Sequence, residues 1–541
     1  MVVLSGQIPT ILNAGGAVGG RKSRRPVMML LWPALFVALG TVVPSVGVAR
    51  AQPVADRVAA LGPSLEAYIE QGMRTFDSPG LAIGIVADNR LVYSKGFGVR
   101  SKSATAPVDT RTLFQIGSTT KAFLAATIAL MVDRGKLHWD DRIIDLDPEF
   151  QLQDPWVTRE FRVFDLLAQR SGLPPEVNDG LGVLAYPEGD LINSLRYVAP
   201  VSSFRSTFSY TNITHLLAGR IVAKVAGASD WNAVLQQEFL DPLGMKDTSY
   251  TAAAMQASAN HAMGYRWSPQ GTTEAPFSQI FPYDFYGAGD MNSNIDEMAR
   301  WVRLQLGKGE LDGHRLVSEA NLELTHQPRI AISNNLSYAL GWVDQRTQNG
   351  DIVWHNGGTT SFGAYVGLLP ARNVGVIVLT NEVNVGFPDA IGLWTLDRIL
   401  DNPDVDHVAD RHRAAVADFE SQTKQFARPP DARPALPAEA FVGDFTNRAF
   451  GKASVTLEND APVMTFIATG AALRLVPWDG NVRTATYVQA GRFAAMAQAL
   501  GPLPVGFVQL QMDRNGRQNL LRLTFSDGQG YDFAREPALK P

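Results

Sequence analysis

The chain has 541 residues, a formal net charge of −5, and 45% hydrophobic and 19% charged side chains. That is globular composition, with length for two or three domains and a large core. The acidic balance and the lack of a clustered Lys/Arg stripe argue against a nucleic-acid partner, and the absence of cysteine excludes disulfides, thiolate chemistry and cysteine-ligated zinc.

The amino end reads as a targeting segment. Arg21-Lys-Ser-Arg-Arg25 supplies positive charge, Val27 to Val48 is an apolar run, and Ala49-Arg-Ala51 offers a small-x-small cleavage site. Residues 1–51 are therefore expected to be a signal peptide cleaved near Ala51, with an uncleaved anchor as the competing reading. The mature protein would be periplasmic or secreted by a bacterium, and would meet the membrane only transiently through this segment.

Val54 to Arg74 has the spacing of an amphipathic helix, stopped by Ser78-Pro-Gly80. Leu81–Val86 and Leu91–Phe97, joined across Asp88-Asn89, predict a hairpin. Next comes Phe114-Gln-Ile-Gly-Ser-Thr-Thr-Lys-Ala-Phe123, a Ser-x-x-Lys pair opening an apolar helix. Ser118 and Lys121, three apart, would share a helix face. A partly desolvated lysine can take the proton of a serine hydroxyl, and free N–H groups at a helix start can stabilise an oxyanion. Phe208-Ser-Tyr-Thr-Asn-Ile213 then precedes a helical run, His215–Val225. Downstream, Ile352–His355, Ala364–Leu369 and Val374–Thr380 read as strands and Asp389–Leu400 as a helix. Val353-Trp-His-Asn-Gly-Gly358 ends the first of these strands. Strands from both ends of this region predict one mainly antiparallel sheet covered by helices, with the middle of the chain as a helical lobe.

Ala427–Pro437 carries four prolines in eleven residues and reads as a stiff linker. Beyond it, Phe441–Phe445, Ala453–Leu457, Val463–Phe466, Leu473–Leu475, Val508–Met512 and Leu520–Phe525 alternate and are separated by turn residues. They predict a small antiparallel barrel or sandwich without a catalytic constellation of its own, in a packing or substrate-gating role. The expected layout is a signal peptide (1–51), a catalytic domain (52–426), a linker (427–437) and a barrel (438–541).

In the order S-x-x-K, Y-x-N, H-x-G, the three motifs resemble the serine β-lactamase and penicillin-recognising family, in its class C, D-aminopeptidase and esterase branch. Phe164–Pro174, Asp241–Thr248 and Gly287–Ser293 add family-like phrases, and the resemblance runs from about residue 55 to 400. It implies an α/β (α+β) β-lactamase-like catalytic domain followed by a lipocalin-like barrel. Ser118 would be the nucleophile of an acyl-enzyme, and Asn212 would hold Lys121 and orient the substrate. Gly357 and Gly358 would form the substrate-binding strand edge, with the N–H groups of Gly358 and Ser118 as the oxyanion hole. Either Lys121 or Tyr210 could be the acylation base; nearby cationic groups would favour the Tyr210 phenolate. His355 stands where many relatives carry the lysine of Lys-Thr-Gly. A histidine mostly neutral at pH 7 weakens penicillin-style carboxylate binding and so puts β-lactamase activity in doubt.

The resemblance implies a hydrolase of an amide bond in a D-residue or nonribosomal peptide. Length, layout and motif order are similar to the peptidases of linearised microcystin. A carboxylesterase and a non-catalytic penicillin-binding-like sensor are the rival readings, so the expected partner is a small peptide or ester. No cofactor is expected. There is no H-E-x-x-H, and His407 with His412 reads as a solvated helix face rather than a metal site. No phosphate-binding glycine loop is present.

Overall fold

The computed structural model describes residues 54–512 and 517–537; the expected signal segment lies outside them. Helix α1 (Val54–Phe76) buries Val58, Leu65, Ile69 and Phe76 along one side, the stripe of an amphipathic helix. Strands β1 (Gly80–Ala87) and β2 (Arg90–Gly98) form the predicted hairpin. Its turn residues Asp88 and Asn89 both take positive φ, as a two-residue hairpin loop requires. Helix α2 (Thr120–Asp133) is buried at every position from Thr120 to Met131, because it is apolar on all sides and sits inside the core. Helix α3 (Ile213–Ala226) ends on left-handed Gly227. Asn294 caps α4 (Ile295–Leu306) by accepting the Glu297 N–H.

Six later strands join the hairpin: β3 (Ile330–Ala331), β4 (Leu336–Tyr338), β5 (Val343–Arg346), β6 (Asp351–Gly358), β7 (Gly363–Leu369) and β8 (Val374–Thr380). With the hairpin they make an 8-stranded sheet in the order β2-β1-β8-β7-β6-β5-β4-β3. Its neighbours pair antiparallel. Side chains alternate across it with period two. Ile83, Ile85, Val376 and Val378 share a core with α1 and with helix α5 (Phe387–Leu400). Ala82, Val86, Ile377 and Leu379 share the other core, with α4 and the helical lobe. The edge strands β3 to β5 were not foreseen, for they are short and lack a continuous apolar run. Helix α6 (His407–Phe426) corrects the expectation of a solvated histidine face. His407 bonds Asp397 at 2.8 Å, and His412 sits edge-on to Phe76 and Trp267.

The carboxyl-terminal strands are β9 (Gly443–Asn447), β10 (Gly451–Glu458), β11 (Ala461–Phe466), β12 (Ala472–Asp479), β13 (Val482–Tyr487), β14 (Gly506–Met512), β15 (Gln518–Phe525) and β16 (Gly530–Arg535). They form a closed antiparallel barrel, sealed by the β9–β16 pairs Phe445–Arg535 and Thr446–Ala534. β13 and β16 carry polar residues where apolar alternation was sought, so the sequence did not reveal them. The barrel interior, with Phe445, Phe466, Leu473 and Phe533, belongs to the same continuous core as the helical lobe. Hydroxyls from both sides stitch the boundary. Tyr186 donates to the Phe450 carbonyl at 2.6 Å, and Tyr487 to the Val183 carbonyl at 2.9 Å. The proline-rich segment lies against the barrel, where Arg433 pairs with Asp479 and the Leu436 N–H bonds Gly480.

Candidate active site

Strand β6 pairs with β5 only as far as Trp354, opposite Val343. Its last residues, His355 to Gly358, leave β5 and cross the short 3-10 turn Gly117–Thr119 that precedes α2. Two glycines make that crossing possible. Gly117 has φ +50, and a Cβ there would lie 2.7 Å from the Gly358 nitrogen. A Cβ on Gly357 would lie 2.0 Å from the Ile116 carbonyl oxygen and 3.2 Å from the Ser118 nitrogen. Real side chains never come so close, so backbone meets backbone where Ser118 stands.

At that crossing the structure gathers the residues singled out in the sequence. Ser118, Tyr210 and Asn212 are buried to 8%, 6% and 5% exposure, and Lys121 is fully enclosed. Lys121 Nζ donates to Ser118 Oγ at 3.0 Å, to Asn212 Oδ1 at 2.7 Å and to the Ala288 carbonyl at 2.8 Å. All three ammonium protons have acceptors, but none is a carboxylate. Burial therefore lowers the lysine to about 7, against the opposing pull of Asp179 and Asp290. Asn212 ends the loop before α3 and passes the contact on, its Nδ2 donating to Asp179 Oδ2 at 2.7 Å.

Tyr210 corrects an expectation. Lys121 Nζ does lie 4.8 Å from its ring centroid, yet the phenol is not drawn toward ionisation. Burial, reinforced by Tyr338, drives it well above its ordinary range, and the proximity of Ser118 offsets this only in part. Desolvation outweighs one neighbouring cation that is itself half-deprotonated near pH 7. The hydroxyl makes no hydrogen bond of ordinary geometry.

His355 is 1% exposed and both its nitrogens are engaged. Nδ1 lies 2.6 Å from the Asn356 carbonyl, so it carries the proton; Nε2 then accepts from the Tyr338 hydroxyl at 3.0 Å. Burial and the nearby lysine push the ring down to about 3, leaving it neutral. Its ring centroid lies 6.2 Å from that of Tyr210. His355 thus carries no positive charge for a substrate carboxylate.

Sequence reasoning missed Asp179, Asp290, Tyr338 and His215, all buried around Lys121 or its partners. Asp290 and Ala288 lie within the family-like phrase Gly287–Ser293, which was a usable pointer. Asp179 follows Asn178 in an Asn-Asp-Gly turn that carried no catalytic signature. On the far side of Asn384, whose Nδ2 donates to the Gly357 carbonyl at 3.0 Å, lies a cavity of about 380 Å³. Trp267, Val383, Val385 and Phe419 line it, with Leu503 from the barrel. No cluster of potential metal ligands occurs among the described residues.

A sheet flanked by helices, with a serine–lysine pair beneath a glycine-rich strand edge, is the architecture of a serine hydrolase. Residues 65–398 match the beta-lactamase family, and the chain belongs to it. It is 30% identical over 328 residues to an unguisins hydrolase (ungD') of Aspergillus campestris, a stretch covering 58% of this chain and 60% of that relative. With the unguisins hydrolase ungD of Aspergillus violaceofuscus it shares 24% identity over 82% of this chain and 86% of the relative. Among solved structures, the octameric penicillin-binding protein homologue from Pyrococcus abyssi aligns over 88% of this chain and all of its own. The TM-score is 0.57 at 20% identity, a likeness of fold.

Proposed function

We propose that this serine hydrolase cleaves an amide bond in a D-residue or nonribosomal peptide through an acyl-enzyme on Ser118. The observation that carries the reading is the 3.0 Å contact between Ser118 Oγ and a lysine that burial leaves half-deprotonated near neutrality. Neutral Lys121 Nζ takes the Ser118 hydroxyl proton as Oγ attacks the scissile carbonyl carbon. The oxygen of the tetrahedral intermediate receives the Ser118 and Gly358 N–H groups, each such donor being worth about 2.7–4 kcal/mol. As the C–N bond breaks, the departing nitrogen takes the Tyr210 hydroxyl proton, and Lys121 restores it. Water then attacks the acyl carbonyl, its proton passing back through the same groups, and Ser118 is regenerated.

Two features favour a peptide over the rival ester. Tyr210 keeps its proton throughout the ordinary pH range, and an amine leaving group needs that proton whereas an alkoxide needs it less. The cavity beyond Asn384, whose amide bonds the Gly357 carbonyl, offers room for a large apolar residue of such a peptide. A β-lactam is disfavoured by the neutral His355. Two relatives are named as hydrolases of unguisins, and linearised microcystin is the specific candidate suggested by the layout of the chain. The reading places the enzyme outside the cytoplasm, after removal of the amino-terminal segment. Mass spectrometry of products from linearised microcystin, beside a D-amino-acid amide, an ester and a β-lactam, tests it. Cleavage of the peptide at one amide, lost in Ser118→Ala, supports the reading; turnover of the ester alone replaces it with an esterase.

A further inference from the structure

Asp179 is fully buried, and its Oδ2 accepts from Asn212, which holds Lys121. Its Oδ1 has no hydrogen-bond partner. What fixes this carboxyl is the loop before it, and that loop is gripped by the barrel. Gln529 Nε2 donates to the Pro175 carbonyl at 2.9 Å and to the Glu176 carbonyl at 3.1 Å. Its Oε1 accepts the Asn178 N–H at 3.2 Å. The Tyr531 hydroxyl donates to Asn178 Oδ1 at 2.6 Å. Phe525 packs so closely on Gly180 that a Cβ there would lie 2.7 Å from its ring. All three barrel residues belong to the β15–β16 hairpin. The same loop reaches the other proton-transfer group, for the Glu176 N–H donates to the Tyr210 carbonyl at 2.7 Å.

We propose that Asp179 is a positioning residue for Lys121, acting through Asn212. The β15–β16 hairpin of the barrel sets its place, so that the barrel is a working part of the active site. The proposal rests on the assignment of Lys121 as the base for Ser118. Asn178 stands in a left-handed conformation with φ 57, which delivers Asp179 into the core at the head of a short helix. An acceptor at Asp179 keeps the Asn212 amide from turning, and the amide oxygen keeps Nζ aimed at Ser118 Oγ.

The charges around this chain are few and close. Lys121 faces the carboxyls of Asp179 and Asp290, the Tyr210 ring and the imidazoles of His215 and His355. Asp179 faces Lys121, Glu176 and, from the barrel, Asp527. Burial raises Asp179 well above the usual carboxylate range, with Glu176 adding to it. Burial thus presses the Asp179 carboxyl toward its neutral form, and what Lys121 draws from it is the hydrogen bond that holds the Asn212 amide.

The test measures the rate of Ser118 acylation by a fluorophosphonate against pH in the full-length protein. Asp179→Asn keeps an accepting oxygen for the Asn212 amide and is expected to acylate at close to the wild-type rate. Asp179→Ala removes the acceptor and is expected to slow acylation on the order of 10²-fold, the scale of a misaimed catalytic group. Tyr531→Phe and Gln529→Ala should slow the same step, with KM for the substrate unmoved. A wild-type rate in Asp179→Ala, or a loss in Asp179→Asn as large as that in Asp179→Ala, overturns the positioning role. Hairpin variants that lower Tm but acylate at the wild-type rate overturn the part given to the barrel. Wild-type acylation in Lys121→Ala would instead remove the underlying assignment, so the failures are distinguishable.

Discussion

Asp165 and Asp179 are both enclosed carboxyls of the helical lobe, and they are treated in opposite ways. Asp165 receives Arg170 Nε at 3.0 Å, Arg205 through Nε at 3.0 Å and a terminal nitrogen at 2.6 Å, and the Arg162 N–H at 3.0 Å. Every lone-pair direction is used and two guanidinium groups balance the charge. Asp179 has one amide donor, an idle oxygen and no cation in contact. The first is how a fold accommodates a buried charge for its own sake; the second leaves the group with unspent electrostatic capacity. Lys121 shares one trait of the second group: its three protons all have acceptors, yet none of these is an opposite charge. Burial without a counter-charge in contact, rather than burial alone, marks the reactive region here.

That contrast can be broken or sharpened by substitution. Ser118→Ala should have the largest effect, lowering peptide turnover on the order of 10⁶-fold while Tm stays at or above wild type, as measured by steady-state kinetics and calorimetry. Lys121→Ala and Tyr210→Phe should each cost about 10²–10⁴-fold. The double variant should fall little further, because both groups serve one proton. Multiplicative losses would assign them to separate steps. In the wild type, kcat/KM should rise with pH through about 7, since Lys121 must shed its proton to act, and this limb should vanish in Lys121→Ala. Asp165→Ala should invert the pattern. Chemical denaturation should show a loss near the lower end of about 3–5 kcal/mol, because the stranded arginines remain partly in water. kcat measured well below Tm should hold. The smallest effect belongs to the cavity wall. Val385→Trp should raise KM about tenfold for substrates with a large apolar residue, the scale of one buried side chain, and leave a small ester unaffected.

The motifs legible in the sequence were those whose chemistry is local. Ser118 and Lys121 sit one turn apart, Tyr210 and Asn212 flank one loop, and His355 to Gly358 are contiguous, so spacing alone exposes them. Asp179 was silent because its meaning depends on Asn212, Asn178 and a barrel hairpin far along the chain. The state of Tyr210 was misread for a related reason. Proximity of a cation can be guessed from motif order, whereas the depth of desolvation is a property of the assembled core. The main sheet's central strands announced themselves through unbroken apolar runs at Ala364–Leu369 and Val374–Thr380. The edge strands β3 to β5 and the barrel strands β13 and β16 did not, since half-exposed or polar-lined strands carry no such run.

The glycine contact between Gly117 and the β6 edge has a consequence for how this scaffold can change. With no room for a methyl group on either Gly117 or Gly357, the reacting end of the cleft admits almost no variation. The cavity beyond Asn384 is assembled from separate segments around Trp267, Val385, Phe419 and Leu503. Diversification therefore has one direction available to it: inherited chemistry stays fixed while loops and barrel renegotiate which substrates reach it.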